Sequence, residues 1–425
     1  MKKFTDFKNK SFAIYGYGKT GVSVNKFLIR KKIKKIRIWD DNFKEYNKIK
    51  KNNFIKNLGL VDFIVISPGI NILKSKLKKY LIKYKEKIIT DIDLFFLSAH
   101  KPRTIAVTGT NGKSTTCSLI NHVLKKNGFK TRLVGNIGNP ILKDNFNKKT
   151  IYIVEVSSFQ LFYSKFCKPN IAAILNISND HIDWHGNKNN YLNAKFKIFE
   201  NQNHLDHAIL KESYLKKIFL KKKLRGKLDY VRNNSIKNFE INNIYLRLKT
   251  NSLNVEFAFL VAKKFGIKKK SFLKSIKSFK GLPHRHEIIF KNKNFIFIND
   301  SKATSFDSTR FALANNNNII WILGGQPKLK DKLLITKFKK RIIKAYIIGN
   351  NPNYFKRQLI NKIKYVIKNK LHQALKHIFL SLNTEINKAT ILLSPSSASY
   401  DQYRNFNERG DQFKKIVKSY AKKFF

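Results

Sequence analysis

The sequence predicts an α/β fold of three domains with mainly parallel sheets, and three observations carry that expectation. Short apolar runs alternate with longer amphipathic stretches along the chain, the pattern of strands joined by crossover helices. Two glycine-rich turns each sit between such a strand and the start of a helix. At about 100–200 residues per domain, 425 residues exceed a single domain, and two turn-rich boundaries cut them into three pieces.

The first piece, residues 1–98, opens with the strand-like run Ser11–Tyr15. Gly16, Gly18 and Gly21 follow with GxGxxG spacing, a helix runs to about Lys31, and a second strand, Ile36–Trp39, ends at Asp40. Asp40 stands 19 residues after Gly21, near where a Rossmann-like unit places its ribose-binding carboxylate. A third strand, Phe63–Ile66, ends at Ser67-Pro68-Gly69. This piece is expected to be Rossmann-like and to hold a nucleotide.

The central piece, residues 99–283, begins at the His100-Lys101-Pro102 boundary. Its elements are the strand Thr104–Val107, a glycine-rich loop, a helix from about Ser114 to Lys126, and the strands Ile151–Val156 and Ile171–Ile177. Residues 200–250 are rich in Lys and Asn and too weakly patterned to place an element. Helices from about Ser252 and Lys270 lead to Gly281-Leu282-Pro283. The last piece, residues 284–425, has strands near Phe295–Ile298, Ile319–Leu323, Ala345–Ile348 and Ile391–Ser394 with helices between, again Rossmann-like.

The strongest chemical signal is Thr108-Gly109-Thr110-Asn111-Gly112-Lys113-Ser114-Thr115, between a strand and a helix. Glycines let backbone N–H groups approach a phosphate, and the helix N-terminus adds positive potential. Lys113 can reach the β- and γ-phosphates, and Ser114 or Thr115 can ligate Mg²⁺. The strict phosphate-loop pattern fails only at its first position, Val107, so an ATPase-type domain of the phosphate-loop kind is expected. Glu155 ends a β-branched strand, where a carboxylate is costly to bury without a partner. His181 follows the next strand, also at a carboxyl end, where ligands of open α/β sheets collect. Asp180 and Asp183 beside it read as caps or solvated charges. In the last piece, Asn299-Asp300-Ser301-Lys302-Ala303-Thr304, Gly324-Gly325 and Ser394–Ser399 each follow a strand, and each could equally be a plain turn.

Charge is the compositional anomaly. Lys+Arg exceed Asp+Glu by 87 − 26 = 61, and 74 of the 87 are Lys. A nucleic-acid reader would be expected to favour Arg and to concentrate its charge. Here Lys is scattered among abundant Asn, Ile, Phe and Tyr, which points to composition bias and to no specific nucleic-acid partner. Cys117 and Cys167 form neither a disulfide framework nor a CxxC metal pair, which suits a reducing cytosol. No apolar stretch approaches the roughly 18 residues of a membrane helix, so a cytoplasmic protein without membrane insertion is expected.

Taken together, GYGKTG (16–21), SPGI (67–70), DIDLF (91–95), TGTNGKST (108–115), GNIGNP (135–140), VEVSSFQL (154–161), NISNDHIDWH (176–185), AKFKIF (194–199), GLPHRHE (281–287), INDSKATS (298–305) and SPSSASYDQYRNFNERG (394–410) resemble the Mur ligase family over nearly the whole chain. The resemblance implies three α/β domains and an ATP-dependent amide ligation through an acyl phosphate. Lys113 matches the family's phosphate lysine, Ser114 and Glu155 its first metal site and His181 a second-metal ligand. Lys195 matches a lysine that the family carbamylates, which turns a cation into an oxygen ligand for Mg²⁺. Gly109, Thr110, Asn111, Gly112 and Thr115 complete the ATP loop, with Asn251, Asn254, Arg285 and Asp300 as further ATP contacts. Gly18, Thr20, Gly21, Asp40 and Asp41 match the uridine-diphosphate corner, and Asn136, Ser157 and Gln160 contacts to the muramoyl part. Lys302, Thr304, Lys328, Ser399 and Phe406 match a D-glutamate site. The implied substrates are UDP-N-acetylmuramoyl-L-alanine and D-glutamate, with a monomer acting on them.

The sequence departs from the family pattern at Ser305, where Asn is usual, at Gln326-Pro327-Lys328, and in a shortened 200–250 stretch. Other members add L-alanine, a diamino acid or a dipeptide, and folate ligases add glutamate; no DNPR-type diamino-acid motif occurs here. Two other classes explain less. A nicotinamide dehydrogenase built on residues 16–21 leaves TGTNGKST without a role, and a nucleic-acid binder rests on charge alone.

Overall fold

The computed structural model of the chain describes residues 7, 9–42, 51–98, 102–178, 180–211, 214–231, 239–248, 251–327, 332–382 and 384–425. Lys328 and the His100-Lys101 part of the first expected boundary lie outside the described residues. The chain divides into two compact units, Met1–Asn243 with Asn251–Phe279, and Ile244–Thr250 with Lys280–Phe425.

The first unit holds two parallel sheets. One has the order β2-β1-β3-β4, from β1 (Phe12–Tyr15), β2 (Ile36–Trp39), β3 (Phe63–Ile66) and β4 (Ile88–Ile89). The central strands β1 and β3 are apolar and buried at every residue, as strands covered on both faces must be. The other sheet has the order β10-β9-β8-β5-β7-β6, from β5 (Thr104–Thr108), β6 (Thr131–Gly135), β7 (Ile151–Glu155), β8 (Ile171–Ile174), β9 (His207–Lys211) and β10 (Lys227–Val231). The chain order reverses around β1 in the first sheet and around β5 in the second, and crevices at such switch points receive ligands.

Asp93 ties the two sheets of this unit together. Its Oδ2 closes a capping box with Thr90, while Oδ1 accepts from Ser164 Oγ at 2.6 Å and from the N–H of Phe166 at 2.7 Å. The buried carboxylate is thus filled with donors, as burial demands.

The second unit holds one mixed sheet, β11-β12-β16-β13-β14-β15. Its strands are β11 (Glu287–Lys291), β12 (Phe295–Asn299), β13 (Ile319–Gly324), β14 (Ile342–Ile348), β15 (Tyr365–Ile367) and β16 (Ala389–Leu393). Among the described strands only β11, at an edge, pairs antiparallel; the sequence offers no strand signal for it, nor for β4, β6, β9, β10 and β15. Buried apolar side chains fill both faces of this sheet.

One expectation is corrected and one open stretch is filled. The strand Ile171–Ile177 stops at Ile174, because the chain beyond leaves the ladder to grip the glycine-rich loop. Asn176 O accepts the Thr110 N–H at 2.9 Å, and its side-chain oxygen accepts the Asn111 N–H at 2.9 Å. Residues 200–250 do contain elements: β9, β10 and the helix Tyr214–Lys221. Lysines on exposed positions of these elements mask a short buried core of Ala208, Ile209 and Leu210.

Candidate active site

The glycine-rich loop leaves β5 at the sheet's switch point and feeds the helix Lys113–Lys126. Gly112 caps that helix with φ +87°, and a Cβ there would lie 2.3 Å from Asn254 Oδ1. Only glycine fits both demands. Asn254 is fixed in turn, accepting from Thr116 Oγ1 at 3.1 Å and donating to Asn251 Oδ1 at 2.9 Å. Lys113 folds back and donates to the carbonyls of Gly109 at 2.8 Å and Thr110 at 2.9 Å. Ser114 and Thr115 are buried in the first turn.

Three further side chains meet this loop or its neighbouring strand ends. Lys195, on the helix Lys188–Glu200, is 1% exposed and donates to Gly109 O at 2.8 Å. Its ammonium lies 4.5 Å from the Tyr191 ring, whose hydroxyl is 3.0 Å from Thr110 Oγ1. Burial, with the Lys113 charge nearby, holds Lys195 well below the ordinary lysine range. Glu155, at the end of β7, is 2% exposed. Its Oε1 accepts from Asn136 Nδ2 at 2.8 Å, but its Oε2 is buried with no hydrogen-bond partner. A dry, unsatisfied carboxylate oxygen beside a phosphate loop fits a hard cation, which takes oxygen ligands. His181 heads the short helix Ile182–His185 with φ +55° and its Nε2 3.4 Å from Asp180 Oδ2. Among the described residues no group of three or more His, Cys, Asp or Glu converges to hold a metal, so an ion here would need other oxygens as well.

The sequence reading passed over His185. It is buried, its Nε2 is 3.0 Å from Ser158 Oγ, and burial with the His181 and Lys195 charges lowers its pKa to about 4.

A cavity of about 600 Å³ opens at the switch point of the first sheet. Gly18, Thr20, Asp40 and Asp41 line one end, Asn136 and Gln160 the other. A Cβ at Gly21 would sit 2.0 Å from Gly16 O, which is why the turn closes so tightly. Asp40 accepts the Tyr17 N–H at 2.6 Å and the Asn42 N–H at 2.7 Å; Asp41 accepts from Tyr15 at 2.6 Å and from Trp39 Nε1 at 2.9 Å. Gln160 forms a capping box with Ser157, and its amide nitrogen donates to Asp91 Oδ2 at 3.3 Å. Asp91, which the sequence reading also missed, lines the cavity, and burial lifts its pKa to about 6.

The second unit gathers the remaining candidates at the carboxyl ends of its strands. Asp300 follows β12 and accepts from Ser394 Oγ at 2.7 Å and from the His286 N–H at 3.1 Å. Burial raises its pKa to about 7, against the pull of these bonds and of Arg285. Lys302 lies over the Phe406 ring at 3.9 Å. Thr304 stands half-buried two residues on, and Ser399 is buried. Arg409, 1% exposed, holds three loops together: it donates to Ser301 Oγ and O at 3.0 Å, Ser397 O at 3.0 Å and Gly324 O at 3.4 Å. It was legible only as one of 13 arginines in a lysine-rich chain.

Residues 107–270 match the family model of the Mur ligase middle domain. The chain is 36% identical over 444 residues to the UDP-N-acetylmuramoylalanine--D-glutamate ligase of Rickettsia felis, covering 97% of this chain and 98% of that protein. The chain belongs to the Mur ligase family. A Wolbachia protein of the same name, from the strain of Brugia malayi, is 33% identical over 97% of this chain and 96% of its own length. The fold of this Mur ligase is shared with the UDP-N-acetylmuramate-alanine ligase of Thermotoga maritima, at TM-score 0.60 and 17% identity over 97% of this chain and 100% of that one. The α/β class with mainly parallel sheets is thereby borne out, and the chain is an ATP-dependent, amide-bond-forming ligase.

Proposed function

We propose that this ligase joins D-glutamate to UDP-N-acetylmuramoyl-L-alanine, a cytoplasmic step in making a peptidoglycan precursor. Its relatives of that name match it from end to end. The observation that supports the chemistry best is the meeting of a phosphate loop, a buried unsatisfied carboxylate and a buried lysine at adjoining strand ends.

The substrate carboxylate attacks the γ-phosphorus of ATP, ADP leaves, and an acyl phosphate forms. The amine of D-glutamate then attacks the acyl carbon, phosphate leaves, and the nitrogen loses a proton. Lys113 would swing from the Gly109 and Thr110 carbonyls onto the β- and γ-phosphates, and the loop N–H groups would cradle them. Gly109 to Thr115 would hold ATP, with Asn251, Asn254, Arg285 and Asp300 as further ATP contacts. Ser114, Glu155, His181 and Lys195 as a carbamate would hold Mg²⁺, which neutralises charge on the transferring phosphoryl group. Lys195 suits carbamylation: a neutral amine adds CO₂ and releases a proton, and the product anion lies near the Lys113 charge.

Gly18, Thr20, Gly21, Asp40 and Asp41 would hold the uridine diphosphate, and Asn136, Ser157 and Gln160 the muramoyl group. Lys302, Thr304, Lys328, Ser399 and Phe406 would receive D-glutamate, whose two carboxylates suit cationic and hydroxyl groups. Three domains, 1–98, 99–283 and 284–425, acting in a monomer, complete the proposal.

Phosphate release from ATP and Mg²⁺ with UDP-N-acetylmuramoyl-L-alanine tests it, with D-glutamate, L-alanine, meso-diaminopimelate or L-lysine added in turn. Release with D-glutamate alone is the expected result. Release with a different acceptor would refute the assigned substrate, and none with any acceptor would refute the ligation.

A further inference from the structure

The stretch DIDLF (91–95) places two buried carboxylates two residues apart, and the proposed chemistry uses neither. Their partners differ. Asp93 accepts from Ser164 Oγ at 2.6 Å and from the N–H groups of Phe166 at 2.7 Å and of Thr90 and Lys165 at 2.9 Å. Asp91 instead lines the cavity of about 600 Å³. Its carboxylate accepts the N–H groups of Asp91 and Ile92, in the first turn of the helix Asp91–Leu97. Among the described residues its one side-chain donor is Gln160, whose Nε2 lies 3.3 and 3.5 Å from the two oxygens.

The fold gains nothing from this charge. Burial and the like charge of Asp93 raise the pKa of Asp91, so its ionised form weakens the native state. The helix start does not need it, because Thr90 and Asp93 close the capping box. A costly carboxylate on the wall of a substrate cavity is a candidate for ligand binding.

Gln160 supplies the route. A side-chain amide can face either way, but both neighbours of Gln160 demand one orientation. The Ser157 N–H, which can only donate, lies 3.1 Å from Oε1, and Ser157 Oγ donates to the same oxygen at 3.0 Å. Ionised Asp91, which can only accept, takes Nε2 from the other side. Nε2 carries two hydrogens, and Asp91 is its sole acceptor among the described residues. Gln160 also lines the cavity.

We propose that Asp91 is a positioning residue for the UDP-linked substrate: it locks the Gln160 amide so that one N–H is offered to an uncharged oxygen of the muramoyl group. The inference rests on the reading that Gln160 contacts that group, and deepens it. The negative charge behind the amide repels phosphate and carboxylate oxygens, which leaves a carbonyl, ether or hydroxyl oxygen as the partner. Asn at position 91 cannot replace the carboxylate. Its single oxygen would be claimed by the N–H groups of the first turn, so its Nδ2 would meet Gln160 Nε2, donor against donor.

Steady-state kinetics at pH 8, with each substrate varied in turn, and urea unfolding of the same proteins test the proposal. Asp91→Asn should raise KM for UDP-N-acetylmuramoyl-L-alanine by about tenfold, the loss of one hydrogen bond. Its kcat and its KM for ATP and D-glutamate should stay near those of the parent, and its stability should not fall. Gln160→Ala should raise the same KM by a similar factor, and adding Asp91→Asn to it should cost nothing further. A raised KM in Gln160→Ala with an unchanged KM in Asp91→Asn overturns the inference and keeps the muramoyl contact. Additive losses in the double variant overturn the route through Gln160. An unchanged KM in Gln160→Ala overturns the muramoyl contact and the inference with it.

Discussion

Replacing Gly112 by Ala tests how the phosphate loop is built. Gly112 has φ +87°, where an L-residue costs about 1–2 kcal/mol. The added Cβ would also lie 2.3 Å from Asn254 Oδ1. Asn254 cannot retreat freely, because it bridges Thr116 and Asn251. Its displacement leaves the fully buried Thr116 hydroxyl unsatisfied, worth about 1–3 kcal/mol. The total is about 2–5 kcal/mol. Gly128→Ala isolates the first part, since Gly128 has φ +84° but nothing within 4 Å of its added Cβ. Urea unfolding of both variants, with ATP binding by calorimetry, gives the comparison. Gly112→Ala should be less stable than Gly128→Ala by about 1–3 kcal/mol and should lose ATP affinity. Equal destabilisation with ATP affinity intact would refute the account of the loop.

Three further outcomes follow from named contacts. Lys113→Ala should lower phosphate release by about 100-fold or more while circular dichroism stays unchanged, because the lysine meets charge that develops on the phosphoryl group. Asp91→Asn should show a pH-dependent gain in stability. Burial raises the folded pKa of Asp91 to about 6 from 3.8, so its proton favours the native state at low pH and that contribution fades as pH rises from 4 to 6. The variant's stability relative to the parent should therefore be greater at pH 8 than at pH 4 by up to about 3 kcal/mol, from (6 − 3.8) × about 1.4; denaturation at the two pH values reads it. Arg409→Lys should cost about 2–4 kcal/mol in a denaturant series and weaken acceptor binding, because a single ammonium cannot span the Ser301, Ser397 and Gly324 oxygens.

The glycine-rich turns, the strands beside them and the polar residues at strand ends were legible because each carries a local rule: alternation, spacing or a helix start. Glu155 announced itself as a carboxylate ending an apolar strand, and its buried Oε2 gives that signal a physical basis. What stayed hidden depends on contacts between distant residues. Asp91 matters through Gln160, 69 positions away, and Arg409 through Ser301, 108 positions away; neither relation has a periodic trace. The β9–β10 pair escaped notice because lysines on its exposed positions dilute the apolar signal, and β11 because an antiparallel edge strand needs only partial burial.

The central claim is that the substrate carboxylate is phosphorylated before the amine attacks. Heavy-oxygen labelling of that carboxylate in UDP-N-acetylmuramoyl-L-alanine tests it most directly, with turnover on ATP, Mg²⁺ and D-glutamate and mass analysis of the released phosphate. The account predicts one labelled oxygen in each phosphate and its loss from the new amide. Unlabelled phosphate accompanying ligated product would contradict it.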